Sequence, residues 1–193
     1  MLIMNSKFVG LPVASIQAGF PIAQVKDFII NPHKLHIVAF YVEKPDQDED
    51  FVLFVDDITD MSRRGLVIDH DDLIMKNEDD LVRLKEITDL DFYLISKPVE
   101  TESGAKVGTV SRFALDPKSF MIMQLYVTQP MTLNFNNAEV LIHRDQIVNV
   151  TDKKVVVQDT AVKVTAKFGF RGLLFGRQST AEAESERADS RES

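Results

Sequence analysis

Before Asn31 the apolar positions Ile22, Val25 and Phe28 come every third residue, and after Lys34 they fill most of residues 35–42. Between them stands Asn31-Pro32-His33-Lys34. An Asx-Pro pair predicts a type I turn, because the short polar side chain caps the turn and Pro presets φ. The whole pattern returns 85 positions on, where residues 104–127 echo residues 19–42 with seven identities in 24 positions. These are Gly19/Gly104, Val25/Val110, Phe28/Phe113, Pro32/Pro117, Ile37/Ile122, Tyr41/Tyr126 and Val42/Val127. A repeat of this length means one folding unit used twice. A spacing of three suits a helix better than a strand. We read it as a strand carrying a bulge, which resets the two-residue phase, because the surroundings are rich in β-formers. After the turn, strict alternation sets Leu35, Ile37, Ala39 and Tyr41 on one side and Val38, Phe40 and Val42 on the other. Apolar residues on both faces are what a small closed barrel with a neighbour, or a sandwich, needs.

The echo continues more faintly at an offset of 89, where residues 51–58 find a counterpart within 138–147 and residues 65–69 within 154–158. Residues 43–50, with five acids, and the uncharged 128–137 are where the copies diverge, as loops do. From Asn77, an N-cap followed by three acids, the stripe Leu81, Leu84, Ile87 predicts a short helix. The expected organisation is therefore all-β: two small β-barrels of about six strands in tandem, over 1–76 and 92–164, joined by a linker helix at 77–91. Residues 165–193 follow as a basic-aromatic segment and an acidic tail. Residues 178–193 hold no large apolar side chain, so the tail is expected to be disordered.

Charge narrows the function classes. With 22 basic against 30 acidic residues the chain carries −8, which argues against direct nucleic-acid binding. The absence of cysteine removes disulfide and thiolate chemistry and suits a reducing cytosol. Gly10 and Pro12 interrupt the N-terminal apolar stretch, no apolar run reaches the ~20 residues of a membrane span, and a cytoplasmic protein is expected.

With the turn, Leu11-Pro12-Val13 and the phrase from Ile142 through Arg144 to Ile147-Val148 in hand, the chain resembles the PRC-barrel family. The first unit carries that family's opening (Leu11-Pro12-Val13, Gly19, Val25, Asp27, Asn31-Pro32) and the second its close (Ile142, Arg144, Ile147, Val155-Val156-Val157). The resemblance covers about residues 8–72 and 97–162. It implies a non-enzymatic protein-binding or adaptor module with no catalytic residues and no cofactor. Because the family is similar to a barrel of a ribosome maturation factor, the alternative is an accessory factor in ribosome or RNA maturation, with a ribosomal protein as partner.

Other candidate chemistry is sparse. Asp46-Gln47-Asp48-Glu49-Asp50 lacks the glycine a calcium loop requires, since Phe51 stands in its place. His33 and His36 have no third ligand within sequence reach, and Asp69-His70-Asp71-Asp72 has no nucleophile with a recognisable elbow. No metal site is expected. Residues 163–177 carry four basic residues, no acid and three Phe. Lys167, Phe168, Phe170, Arg171, Leu174, Phe175 and Arg177 are the candidate docking residues, for an acidic protein partner or a weak peripheral membrane contact. The competing reading of this segment is a final strand packed back on the second barrel.

Overall fold

The computed structural model describes residues 1–47, 49, 51–62, 64–76, 92–129 and 139–161. The expected linker helix at 77–91, the tail and all seven candidate docking residues lie outside them. The described residues are all-β. The strands are β1 (Ile3–Met4), β2 (Pro12–Ser15), β3 (Phe20–Asn31), β4 (His36–Glu43), β5 (Phe51–Phe54), β6 (Ile58–Ser62), β7 (Gly65–Ile68), β8 (Met75–Lys76), β9 (Pro98–Thr101), β10 (Lys106–Leu115), β11 (Ile122–Thr128), β12 (Glu139–His143), β13 (Ile147–Val150) and β14 (Val155–Val157). Among the described residues no helix is long and apolar enough to cross a membrane.

Two sheets form. One runs β6-β7-β2-β3-β4-β5-β8 and the other β13-β14-β9-β10-β11-β12, so the second repeats the strand order of the first. Even the single parallel pairing recurs, β2 with β7 and β9 with β14. The expected closed barrels are corrected. Each sheet is an open path among the described residues, because closure needs a ladder between its end strands. The 3-10 turns Val55–Asp57 and Arg144–Gln146 interrupt the extended backbone after β5 and β12, and among the described residues β6 and β13 pair only with β7 and β14.

The predicted bulges are present at equivalent places, with register shifts between Val25 and Asp27 and between Val110 and Arg112. A second pair of shifts corrects the expected faces. Ile29 pairs with Ala39 but Ile30 with Ile37, which leaves Val38 as an extra residue; Met123 is its counterpart in β11. The extra residue reverses the phase, so Ile37 joins Phe40 and Val42 in the main core. Ala39, Val38 and Tyr41 fall instead in a separate cluster with Ile29 and Val52.

Residues 1–162 make one unit whose main core draws on both sheets. The two Asx-Pro turns meet there. Asn31 Oδ1 accepts from the amides of His33 (3.0 Å) and Lys34 (3.3 Å), and Asp116 Oδ2 from the amide and hydroxyl of Ser119. Each turn ends in a bulky residue held left-handed, Leu35 at φ 45° and Phe120 at φ 55°. That conformation costs about 1–2 kcal/mol per residue. Reciprocal bonds across the sheets hold it: the Ile37 amide donates to Phe120 O (3.0 Å) and the Ile122 amide to Leu35 O (2.9 Å). Phe28 and Phe113, matching positions of the repeat, meet edge to face at 5.2 Å. Arg144 adds a fork, donating to the carbonyls of Leu35 (3.1 Å), Ile122 (3.0 Å) and Lys34. The chain start also crosses over, with β1 pairing to the far end of β10 and Asn5 Oδ1 accepting from the Phe113 amide (3.1 Å).

Candidate docking surface

The hairpin of β2 and β3 turns through residues 16–19. Gly19, at φ +78°, takes the left-handed conformation there, and its amide donates to Ser15 O (2.9 Å). Ser15 is buried, and its hydroxyl accepts from the Ala18 amide (3.2 Å). The turn is tied to the end of β7 as well, by the amides of Ile16 to Ile68 O (2.9 Å) and of Gln17 to Asp69 O (3.1 Å). The backbone is thus held at both ends while two apolar side chains stand out from it. Ile16 and Phe20 are each 60% exposed.

The hairpin of β9 and β10 has similar ties around a turn one residue shorter, residues 102–104 against 16–19. Gly104 donates to Thr101 O (2.9 Å), Thr101 Oγ1 accepts from the Ala105 amide (3.1 Å), and the Glu102 amide reaches Val157 O (3.0 Å). Glu102 therefore stands where Ile16 does, and Ala105 where Phe20 does. The second copy closes its shorter turn with Glu102 and Ala105 beside it, so a large apolar pair at these places is not shared by the two copies. The position was legible in the sequence, since Phe20 and Ala105 directly follow the shared Gly19 and Gly104. The signal lay in a difference beside an identity.

Beyond Phe20 a groove of about 420 Å³ opens, lined by Pro12, Pro21, Pro45, Gln24, Glu43 and Lys44 among others. Its walls are stiff: three are prolines, Gln24 Nε2 donates to the Glu43 carboxylate, and the Lys44 ammonium sits 4.7 Å from the centre of the Phe51 ring. Rigid apolar walls with a few fixed polar groups are what a peptide-sized ligand segment uses. The acidic stretch 43–50 thus contributes Glu43 to β4 and Lys44, Pro45 and Gln47 to the groove, whereas Asp48 and Asp50 lie outside the described residues. A smaller groove of about 260 Å³ lies by the interlocked turns, beside His33, Lys34 and Val148. Arg144, which lines it, already spends its guanidinium on backbone carbonyls.

The histidines are placed apart from one another's chemistry. His33 lies in the turn after β3, His36 opens β4 opposite Met121, and His143 ends β12. Among the described residues no group of three or more His, Asp or Glu is placed to hold a metal ion. Asp57 lies in a 3-10 turn and Asp71–Leu73 form another. The Asp116 carboxyl is held below the ordinary value first by the Ser119 hydroxyl and further by the Lys118 and Ser119 amides, against an opposing effect of burial. Its counterpart role is to cap the turn.

No curated protein matches the chain. The strands β9 to β14 all fall within the stretch that a known family describes: residues 91–164 match the PRC-barrel domain.

Proposed function

We propose that this chain is a non-enzymatic protein-binding adaptor built from two PRC-barrel-like modules in tandem, over 1–76 and 92–164, acting in the cytoplasm. The family match to the second stretch and the repeated strand order in the first support the tandem reading. The observation that carries the binding reading is the contrast between the two hairpins: Ile16 and Phe20 stand 60% exposed where the second copy has Glu102 and Ala105. Large apolar side chains fixed on a stiff turn beside a proline-lined groove are the kind of anchor an interface centres on. The basic-aromatic residues Lys167, Phe168, Phe170, Arg171, Leu174, Phe175 and Arg177 serve in this reading as a second contact, for an acidic region of the partner.

The test gives the first hairpin the second one's residues. Both side chains replaced in the variant Ile16→Glu/Phe20→Ala are 60% exposed in the wild type, so its stability should match the wild type within about 1 kcal/mol. Capture by the wild-type chain, with each captured protein then purified and titrated against both forms, should give a partner that the variant binds at least about tenfold more weakly. Equal affinity for both forms rejects this surface. Nuclease-resistant capture of ribosomal proteins would move the assignment to the accessory-factor alternative.

A further inference from the structure

The smaller groove, of about 260 Å³, lies between β13 and the first Asx-Pro turn. Four successive residues of β13, Ile147 to Val150, line it. Side chains of a strand alternate between its two faces, and the bulge at Val148 resets that phase only once. A space that touches all four therefore runs along the edge of the strand. That edge is the outer one, since β14 takes the other, and among the described residues no strand pairs with it. Such an edge presents backbone donors and acceptors to an incoming chain.

The ionisable side chains that line the groove are His33, Lys34 and Arg144, all basic, and His33 and Lys34 are exposed. The bonds that hold the Arg144 guanidinium run to neutral carbonyls, so they fix its position and leave its charge in place. No acid among the described residues lines the groove, in a chain whose net charge is −8. The edge of the first sheet has the opposite character. There β6 holds the place of β13, with Thr59 and Asp60 standing where Val148 and Asn149 do, and Val55 where Arg144 does. A charged side chain such as Asp60 on an edge strand discourages pairing with another chain. In β13 that charge is missing, and Val148 is 49% exposed.

We propose that an extended acidic segment of a partner protein adds to the outer edge of β13 as a further strand, with carboxylates toward Lys34 and Arg144 and an apolar side chain on Val148. Backbone bonds to β13 supply the affinity, and the basic lining selects an acidic chain over a basic one. The site is separate from the docking hairpin. Phe20 opens β3, whereas the turn that lines this groove follows from Asn31, the last residue of β3, so the two surfaces lie at opposite ends of that strand. Either can fail without the other.

The probe is the peptide acetyl-Val-Glu-Val-Glu-Val-Glu-amide, titrated into the full-length chain while backbone amides are followed by NMR. Shifts should centre on Val148, Asn149 and Lys34, and the counterpart with Lys in place of Glu should bind at least about tenfold more weakly. Methylating the backbone nitrogens of the Val residues, and in a separate peptide those of the Glu residues, tells strand addition from simple attraction. One form should fail and the other should bind, because only alternate amides of an added strand face its neighbour. The variant Lys34→Gln/Asn149→Asp gives β13 the carboxylate that Asp60 gives β6, and should bind the Glu peptide at least about fivefold more weakly. Equal binding of the Glu and Lys peptides, or of both methylated forms, overturns the proposal. So does an absence of shifts in β13 up to about 5 mM peptide. The same shifts produced by inorganic phosphate overturn it too, since they would mean a site for an anion alone. Should the variant fail to fold, the methylated peptides on the wild-type chain decide.

Discussion

Replacing Arg144 by Met keeps the apolar stem and removes a guanidinium that donates to the carbonyls of Leu35 (3.1 Å), Ile122 (3.0 Å) and Lys34. A hydrogen bond to a charged group contributes about 1.5–3 kcal/mol net. Three such bonds do not simply add. The Leu35 carbonyl keeps the Ile122 amide at 2.9 Å, and the Lys34 carbonyl, near the surface, can take water instead. The expected loss is therefore about 2–3 kcal/mol. For a chain of this size that lowers Tm by about 4–12 °C. The control is Arg112→Met. Arg112 forms an ion pair with Glu139 and lies 4.7 Å from the Tyr126 ring centre, yet both partners of the ion pair are well exposed, at 48% and 34%. An exposed pair contributes less than about 1 kcal/mol, and added salt screens it. Calorimetric melts of the two variants at neutral pH, with and without added salt, separate the cases. If Arg144→Met melts within about 2 °C of wild type, or no lower than Arg112→Met, the role given to the fork between the turns is wrong.

Phe113→Ala should cost about 3–5 kcal/mol in urea unfolding, since the ring is wholly buried, and Phe28→Ala less. The two losses should be non-additive by about 0.5–1.5 kcal/mol, the value of an edge-to-face pair. Gly108→Ala should be far more damaging than Gly19→Ala: a Cβ at Gly108 would meet Thr128 O at 2.2 Å, whereas one at Gly19 meets nothing within 4 Å and suffers only the left-handed strain of about 1–2 kcal/mol. Comparing their urea midpoints checks this. The Asp116 carboxyl is lowered in the folded chain, so the unfolded chain binds the extra proton first as the solution is acidified. Its contribution to stability is present above the ordinary carboxylate range and is lost as pH falls below about 4 through the lowered value. Ser119→Ala should raise the Asp116 pKa, read by NMR titration, and flatten that part of the pH–stability curve.

The parts of the fold that depend on neighbours in sequence could be read in advance. The Asx-Pro turns, the bulges after Val25 and Val110, and the strand after each turn all follow from local chemistry, and the repeat doubles the signal at each. The second bulge is illegible at Val38, where residues 37–40 are all apolar. Alternation leaves no mark where there is no polar position, and strict alternation puts Ile37 beside Ala39 and Tyr41 where the fold puts it beside Phe40 and Val42. What joins the two sheets was invisible for a different reason. Arg144 to Leu35 and Asn5 to Phe113 span 109 and 108 positions, and no local pattern encodes such a distance. At the docking hairpin the repeat marks Gly19 and Gly104, which the left-handed turn positions favour. The residues beside them, free to differ, carry the candidate surface.

The interlocked turns also set a timetable for synthesis. Leu35 cannot be secured by the Ile122 amide, nor Ile37 by Phe120, until the ribosome has made about 85 further residues. At roughly 5–20 residues per second that is a wait of about 4–17 s. Throughout it the inner face of the first sheet, with Phe28 and Phe40, has no second half to cover it. A slow codon or a stalled ribosome between the two halves would lengthen that exposure. Aggregation of the nascent chain, more than loss of stability in the finished one, is then where synonymous changes in the stretch before β10 should be felt.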